Sequence, residues 1–170
     1  MTLFKSDVAE AYRLMPVHPF WQIKQINTVD GFCFVDRNNA FGGRGSGCIW
    51  IAFNGLVTWI EKNVKGIPYL SVYSDDSHAP EYQQNVVWYP EFQKFIPFSQ
   101  KMLLDLWTEL GMPFKEKKQI SGPILTIIGI EVNANDMTFT LPEDSQMELI
   151  SEIENFVEHS PHSHGSQHSL

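Results

Sequence analysis

Residues 67–77 read Ile67-Pro-Tyr-Leu-Ser-Val-Tyr-Ser-Asp-Asp-Ser77, an apolar run that ends in two adjacent carboxylates. The apolar part is short and rich in aromatic and branched side chains, which predicts a buried strand from Ile67 to Tyr73. Asp75 and Asp76 follow at a tight turn, and Ser77 to Pro80 is expected to return as a second strand. Neighbouring carboxylates repel unless cations relieve them, so the turn is a candidate Mg²⁺ or Mn²⁺ site. A solvent-facing Asp-Asp turn is the alternative, since aspartate favours turns in any protein.

A third carboxylate, Asp7, lies near the end of another predicted strand, residues 2–8. If this strand and the strand 67–73 are neighbours, Asp7 meets Asp75 and Asp76 at one edge of a sheet. Such a set could bridge two metal ions roughly 3.5 to 4 Å apart, the arrangement that polymerases and nucleases use for in-line phosphoryl displacement. Spacing along the chain leaves the pairing of the two strands open.

The rest of the chain predicts an α+β fold, an antiparallel sheet with helices on one face, from the order β, ββ, α, ββ, α, ββ, α. Residues 81–98 show neither helical nor strand periodicity and are expected to form a long surface excursion. The Ser/His-rich tail, residues 158–170, is expected to be disordered beyond a folded region that ends at Val157. The other predicted elements are a hairpin of Trp21–Thr28 and Phe32–Val35 about Asp30-Gly31, a helix over Gly47–Asn63 capped by Ser46, a helix opened by Ser99 and closed at Gly111, strands at Ile124–Val132 and Met137–Leu141, and a helix from Pro142 to Val157.

Composition fits one globular domain, because 43% of the 170 residues are apolar and 19% are charged. The net charge of −8 arises in residues 131–170, which hold eight acids and no Lys or Arg. No apolar run is long enough to cross a bilayer, and the charged start of the chain is unlike a signal peptide, so we expect an intracellular protein, nuclear or cytoplasmic, without a membrane partner. Cys33 and Cys48 lack zinc spacing and are expected to be free, buried thiols.

Five stretches of the sequence, taken in order, resemble the catalytic motifs of reverse transcriptases. They occur in order across the region of residues 2–157. The resemblance is to polymerases of retrotransposons, of the kind found with tyrosine recombinases. The stretches are Ser6-Asp7-Val-Ala-Glu-Ala-Tyr12-Arg13-Leu-Met-Pro16-Val-His-Pro19 for the first motif, Ala40-Phe41-Gly42-Gly43-Arg44-Gly45-Ser46 for the second, Tyr73-Ser74-Asp75-Asp76 for the Tyr-x-Asp-Asp third, Leu110-Gly111-Met-Pro-Phe-Lys-Glu-Lys117-Lys118 for the fourth and Ile127-Ile128-Gly129-Ile130 for the hydrophobic hairpin of the fifth.

The resemblance implies a polymerase palm at residues 1–157 that carries out RNA-directed DNA synthesis. In that reaction a primer 3′-hydroxyl attacks the α-phosphate of a deoxynucleotide on a nucleic-acid template, with two Mg²⁺ ions. By the same resemblance Asp7 and Asp75 are the main metal ligands, Asp76 supports them, and the main-chain carbonyl of Val8 completes the site. Tyr12 is the ring beneath the incoming sugar that clashes with a ribose 2′-hydroxyl.

The resemblance also assigns the remaining substrate contacts. Phe41 and Gly42 bring the backbone close to the nucleotide and template, and Lys117 or Lys118 places a positive charge near the triphosphate. Arg44 and Tyr73 belong to the same substrate-binding set. A basic turn at the end of a helix is the structural alternative for the two lysines.

The sequence departs from the family pattern at two places in and after the second motif. Ala40 stands where the family has proline, and Gly47-Cys48 replaces an Ala-Pro pair. Fingers and thumb are expected to be largely absent, so that the chain is a fragment of a larger polymerase and binds template and primer poorly by itself. The alternatives are a non-catalytic retroelement remnant that binds protein or nucleic acid, a metal-dependent phosphodiesterase that uses the same carboxylates, and an unrelated domain with a chance Asp-Asp turn.

Overall fold

The computed structural model describes residues 1–159 and folds them into mixed helices and antiparallel strands. The helices are α1 (Pro19–Gln22), α2 (Ser46–Asn63), α3 (Phe98–Glu109) and α4 (Glu143–His159), with short 3-10 helices at Ala11–Leu14 and Glu116–Lys118. The strands are β1 (Thr2–Asp7), β2 (Ile26–Val29), β3 (Phe32–Val35), β4 (Ser71–Tyr73), β5 (Asp76–Glu81), β6 (Val86–Tyr89), β7 (Lys94–Pro97), β8 (Ile120–Gly122), β9 (Ile124–Ile127), β10 (Ile130–Asn133) and β11 (Thr138–Thr140).

A four-stranded sheet in the order β4-β5-β1-β8 forms the centre of the fold, and its pairings are antiparallel. Phe4 lies opposite Ala79 in the β1–β5 register, and both side chains are buried in the main apolar cluster. That cluster also contains Trp50 of α2 and Trp107 of α3, so these helices cover one face of the sheet. The predicted class, α+β with an antiparallel sheet, is therefore confirmed.

The strand predicted at Ile67 to Tyr73 is shorter in the structure, where only Ser71–Tyr73 is extended. Pro68 has no N–H to give to a strand ladder, and the N–H of Ile67 instead donates to the carbonyl of Glu61 at 3.1 Å. Ile67 is nevertheless buried, so it packs as a loop residue. The expected return strand is longer than predicted, Asp76–Glu81, and lies between β4 and β1.

The surface excursion predicted for residues 81–98 was wrong, because β6 and β7 form a hairpin there. Trp88 and Phe95 pack against each other across the two strands, with ring centroids 5.3 Å apart. The sequence of this hairpin does not alternate between polar and apolar residues, because its solvent-facing side also carries apolar side chains. The α3 helix then starts at Phe98, and its first turn is bound by the carboxylate of Glu81, which accepts from the Ser99 hydroxyl at 2.6 Å.

Two further predicted strands differ from the structure. The segment Trp21–Thr28 begins as the end of α1, and only Ile26–Val29 pairs with β3. The segment Ile124–Val132 is a hairpin, β9 and β10, with Ile128 and Gly129 both at positive φ in its turn. The fifth motif had implied this hairpin, whereas periodicity alone predicted one strand.

The expected burial of the cysteines was wrong, since Cys33 and Cys48 are free and exposed. Cys33 lies on β3, whose hairpin with β2 has all residues exposed. The last helix, α4, runs to His159, two residues past the predicted end of the folded region, and none of its residues is buried. The remainder of the predicted tail, residues 160–170, lies outside the described residues. None of the helices within residues 1–159 is long and apolar enough to cross a membrane.

Glu61 on α2 is a buried acid whose carboxyl accepts a hydrogen bond from Trp107 Nε1 at 3.0 Å through one oxygen. The other oxygen has no hydrogen-bond partner. Burial raises the pKa of Glu61 from 4.5 to about 7, against the hydrogen bond from Trp107, which lowers it. The folded protein therefore favours the protonated carboxyl up to neutral pH.

We expect unfolding free energy to fall as pH rises through the raised pKa of Glu61. A carboxyl whose pKa is higher in the folded than in the unfolded protein stabilises the folded state. This stabilisation is complete below pH 4.5 and is lost as the pH rises through about 7. The difference corresponds to about 3 kcal/mol. Urea denaturation between pH 4.5 and 8.5 should show this loss in the wild type and not in Glu61→Gln, which imitates the protonated acid. Parallel pH profiles for the two proteins would contradict the assignment.

Candidate active site

The strands 2–8 and 67–73 are not neighbours, because β5 lies between β4 and β1, and it is the pairing of β1 with β5 that brings the acidic segments to one sheet edge. Asp7 is the register partner of Asp76, and the N–H of Val8 donates to the carbonyl of Asp75 at 3.3 Å. Directly opposed residues of antiparallel strands place their side chains on the same face of the sheet. The first and third motifs thus meet at one edge of the central sheet.

Each of the two opposed carboxylates is bound by a lysine. Lys118 Nζ lies 3.2 Å from Asp7 Oδ2, and Lys5 Nζ lies 3.2 Å from Asp76 Oδ2. The carboxylate side chains are 21% and 23% exposed, so these ion pairs border solvent. The two ammonium groups offset the repulsion between Asp7 and Asp76, and Lys118 is thereby brought to the site as the fourth motif implied.

The fit of this sheet edge to a divalent metal depends on its donor atoms and on their present contacts. As the side chains stand, no three Asp, Glu, His or Cys residues within residues 1–159 form a group that could hold a metal ion. The donor types do fit Mg²⁺, because carboxylate and main-chain oxygens are its preferred ligands. Asp7, Asp75, Asp76 and the carbonyl of Val8 would hold it, with Lys118 and Lys5 giving up the carboxylates they bind.

Lys118→Met is expected to raise the affinity of the chain for Mn²⁺ several-fold, because its ammonium group competes with metal for Asp7. Lys117→Met provides the matched control, since Lys117 makes no ion pair within the described part of the chain. Calorimetric titration of both variants with Mn²⁺ measures the effect. Equal affinities in the two variants would show that Lys118 does not compete.

The fourth motif and Gln119, the residue that follows it, also hold the end of β1. The side-chain amide of Gln119 donates to the carbonyl of Asp7 at 3.0 Å and is almost fully buried. The N–H of Ala9 donates to the carbonyl of Pro113 at 2.8 Å, and Val8, buried, pairs with Phe114 in an isolated bridge. The sequence had not indicated Gln119 or Lys5, although Lys5 is two residues from Asp7 and therefore on the same face of the strand.

The second motif and Tyr12 line a cavity of about 520 Å³. Tyr12 packs edge-on against Phe41, with ring centroids 5.2 Å apart, and its hydroxyl lies 3.1 Å from Ser74 Oγ at the tip of the acidic turn. Gly42 and Arg44 line the same cavity. Four of the predicted substrate residues are thus together, and Tyr12 joins them to the turn.

Glycine in the second motif is required for two different reasons. Gly42 has φ +82, a conformation that side-chain-bearing residues rarely adopt, although a Cβ there would meet nothing within 4 Å. At Gly43 a Cβ would lie 2.5 Å from Ser46 Oγ and 3.2 Å from the carbonyl oxygen of Ala40. The loop therefore depends on Gly42 for its backbone shape and on Gly43 for close packing.

Two predicted site residues are not drawn into these contacts. Tyr73 pairs with Asp76 through the β4–β5 register, but its side chain is exposed. Lys117 is exposed on the 3-10 helix Glu116–Lys118. Of the two lysines, it is Lys118 that binds the Asp7 carboxylate. The structure leaves both of them free to contact a ligand from solvent.

Comparison with solved structures identifies the fold to which this arrangement belongs. The foamy viral protease-reverse transcriptase dRH in complex with double-stranded DNA has a TM-score of 0.67 at 18% identity, covering 88% of this chain and 24% of that one. The foamy viral protease-reverse transcriptase in complex with RNA/DNA hybrid has a TM-score of 0.65 at 17% identity, covering 92% of this chain and 20% of that one. The native Prototype Foamy Virus protease-reverse transcriptase has a TM-score of 0.54 at 12% identity, with 94% and 21% covered.

These comparisons rest on structure alone. No family model matches the sequence, and no curated protein matches it. The chain spans between a fifth and a third of the length of the foamy viral proteins it resembles. At this level of identity the likeness shows the fold, and residues 1–159 have a reverse-transcriptase-like fold.

Proposed function

We propose that residues 1–157 are the catalytic palm of a retroelement reverse transcriptase, a nucleotidyltransferase that extends a primer on a nucleic-acid template. The observation that carries the proposal is the pairing of Asp7 with Asp76 at one sheet edge, with Asp75 in the adjoining turn and Lys118 beside Asp7. Its support from comparison is that similar folds occur in reverse transcriptases bound to DNA and to RNA/DNA hybrid. The retrotransposon subtype rests on the five motifs.

The proposed chemistry assigns separate tasks to the two parts of the site. Bound Mg²⁺ would lower the pKa of the primer 3′-hydroxyl and stabilise the charge that develops on the phosphates. Asp7, Asp75 and Asp76 hold negative charge where that cation binds, and Lys118 offers a positive group for the leaving pyrophosphate once it releases Asp7. Tyr12 and Phe41 form an aromatic wall of the cavity, where a nucleotide sugar and base would lie.

Charge on the chain limits how nucleic acid could bind. Residues 131–170 contain eight acids and no Lys or Arg, whereas the first 130 residues contain all 12 Lys and Arg side chains. Phosphate contacts supply much of the affinity for nucleic acid, so α4 is a poor surface for the duplex. We propose that template and primer approach the sheet edge and the second-motif cavity, and that further polymerase segments add the phosphate contacts this chain lacks.

Primer extension tests the proposal directly. The chain is incubated with a primed RNA template, labelled deoxynucleotides and Mg²⁺ or Mn²⁺, and a parallel reaction omits the deoxynucleotides. Extension that depends on template sequence supports a polymerase. Cleavage of the nucleic acid without deoxynucleotides would instead indicate a metal-dependent phosphodiesterase, and metal binding without either reaction would indicate a palm that needs further segments.

A further inference from the structure

The turn that carries Asp75 contains a strained residue. Ser74 has φ +57, in the left-handed region that side-chain-bearing residues seldom adopt. Such a conformation persists where surrounding contacts determine it, and it is frequent at functional sites. The contacts of Ser74 therefore indicate what holds the acidic turn in place.

Two side chains of α2 donate to the same main-chain oxygen of this residue. Trp50 Nε1 lies 2.9 Å and Asn54 Nδ2 lies 2.8 Å from the carbonyl oxygen of Ser74. Trp50 is fully buried and Asn54 is 5% exposed. The two donors are four residues apart, so they project from one face of the helix and together use both lone pairs of the carbonyl.

The position of this carbonyl matters because it belongs to the peptide that joins Ser74 to Asp75. Holding it fixes the orientation of that peptide, and so the point from which the Asp75 side chain starts. The carbonyl of Asp75 is held in turn by the N–H of Val8, the residue that follows β1. The backbone of Asp75 is therefore fixed on one side by α2 and on the other by the strand that carries Asp7.

We propose that Trp50 and Asn54 are positioning residues that hold the Asp75 carboxylate in place for divalent metal. This inference rests on the proposed function and assigns to α2 a role beyond packing. Within the described residues no other side chain of α2 forms a hydrogen bond to this turn. Loss of one donor leaves the Ser74 carbonyl oxygen with one hydrogen bond and allows the peptide between Ser74 and Asp75 to rotate.

The test compares Asn54→Leu with Asn63→Leu, because Asn63 is an exposed residue of the same helix that bonds only to the carbonyl of Trp59 within the described residues. Hydrogen exchange of residues 71–77 and calorimetric titration with Mn²⁺ are measured on each folded protein. We expect Asn54→Leu to speed exchange in that segment and to weaken Mn²⁺ binding roughly threefold to tenfold. Asn63→Leu should change neither.

A second pair of variants keeps the test decisive if Asn54→Leu does not fold. Trp50→Phe removes the indole donor and retains a ring, and Trp59→Phe does the same at an exposed position. Faster exchange confined to residues 71–77 with weaker Mn²⁺ binding in Trp50→Phe alone would support the inference. Lower global stability with unchanged Mn²⁺ affinity would overturn it, since that is the result of a packing role only.

The two proposals fail in different ways. If the wild-type chain binds no Mn²⁺, the proposed function is rejected, and the positioning role toward metal is rejected with it, whatever the exchange data show for the turn. If the wild type binds Mn²⁺ and the Asn54 and Trp50 variants bind it equally well, only the positioning role is rejected.

Discussion

Asp75→Asn is expected to lower template-directed primer extension by about 100-fold or more, the scale on which removal of one charge-stabilising group slows an enzyme. Asp75 lies in the turn between β4 and β5, where its carbonyl accepts from the N–H of Val8 next to Asp7, and its carboxylate is one of the three that would bind metal. Asparagine retains the shape and the turn preference of aspartate but removes the charge. The measurement is the rate of incorporation of labelled deoxynucleotide at saturating Mg²⁺.

Asp30→Asn is the matched control for this substitution. Asp30 lies at positive φ in the exposed turn between β2 and β3, where asparagine is equally well accepted. Its variant should extend primers at the wild-type rate. Equal losses in Asp30→Asn and Asp75→Asn would point to a general effect of charge, and an unimpaired Asp75→Asn would remove this residue from the catalytic set.

Tyr12→Ala is expected to raise the incorporation of ribonucleotides relative to deoxynucleotides by roughly 10-fold to 100-fold. The ring of Tyr12 lies between the second motif and the acidic turn, 5.2 Å from the Phe41 ring, and its hydroxyl is 3.1 Å from Ser74 Oγ. Removing the ring opens the cavity where a ribose 2′-hydroxyl would otherwise clash. The ratio of kcat/KM for the two nucleotide classes measures the change.

Tyr12→Phe separates the ring from the hydroxyl. It keeps the packing against Phe41 and removes only the contact with Ser74, so the preference for deoxynucleotides should persist. A loss of preference in Tyr12→Phe as large as that in Tyr12→Ala would assign the effect to the Ser74 contact. An unchanged preference in both variants would show that Tyr12 does not contact the sugar.

The acidic residues could be identified from the sequence because each lies at the end of a short strand pattern. Asp75 and Asp76 follow an apolar run directly, and Asp7 ends a predicted strand, so the local pattern indicates all three residues without knowledge of the strand pairing. Periodicity does not specify which strands are neighbours, since the ladder depends on contacts distant in sequence. The register that places Asp7 opposite Asp76 required the structure.

The supporting residues were harder to predict because their partners are main-chain atoms far along the chain. Asn54 and Trp50 read as one polar and one apolar position of an amphipathic helix, yet both reach the carbonyl of Ser74. Gln119 is a polar residue in a basic turn, yet its amide is buried against Asp7. Neither contact leaves a local sequence signal, because any residue can supply a carbonyl.

An apolar surface exposed to solvent accounts for two differences between the sequence pattern and the structure. Trp88 and Phe95 cover the outer face of the β6–β7 hairpin and remove its alternation. Ile150 and Ile153 of α4 are more than half exposed, although the pattern of the helix predicts a packed face. Sequence patterns identify which residues share a face and do not show whether another layer covers that face.

Calorimetric titration with Mn²⁺ tests whether Asp7 and Asp75 form a metal site. The wild-type chain is titrated beside Asp7→Asn, Asp75→Asn and the control Asp30→Asn. We expect saturable binding by the wild type and by Asp30→Asn, and at least a tenfold loss of affinity, about 1.4 kcal/mol, in Asp7→Asn and Asp75→Asn. The absence of saturable binding in the wild type, or equal binding by all four proteins, would contradict the claim that these carboxylates form a metal site.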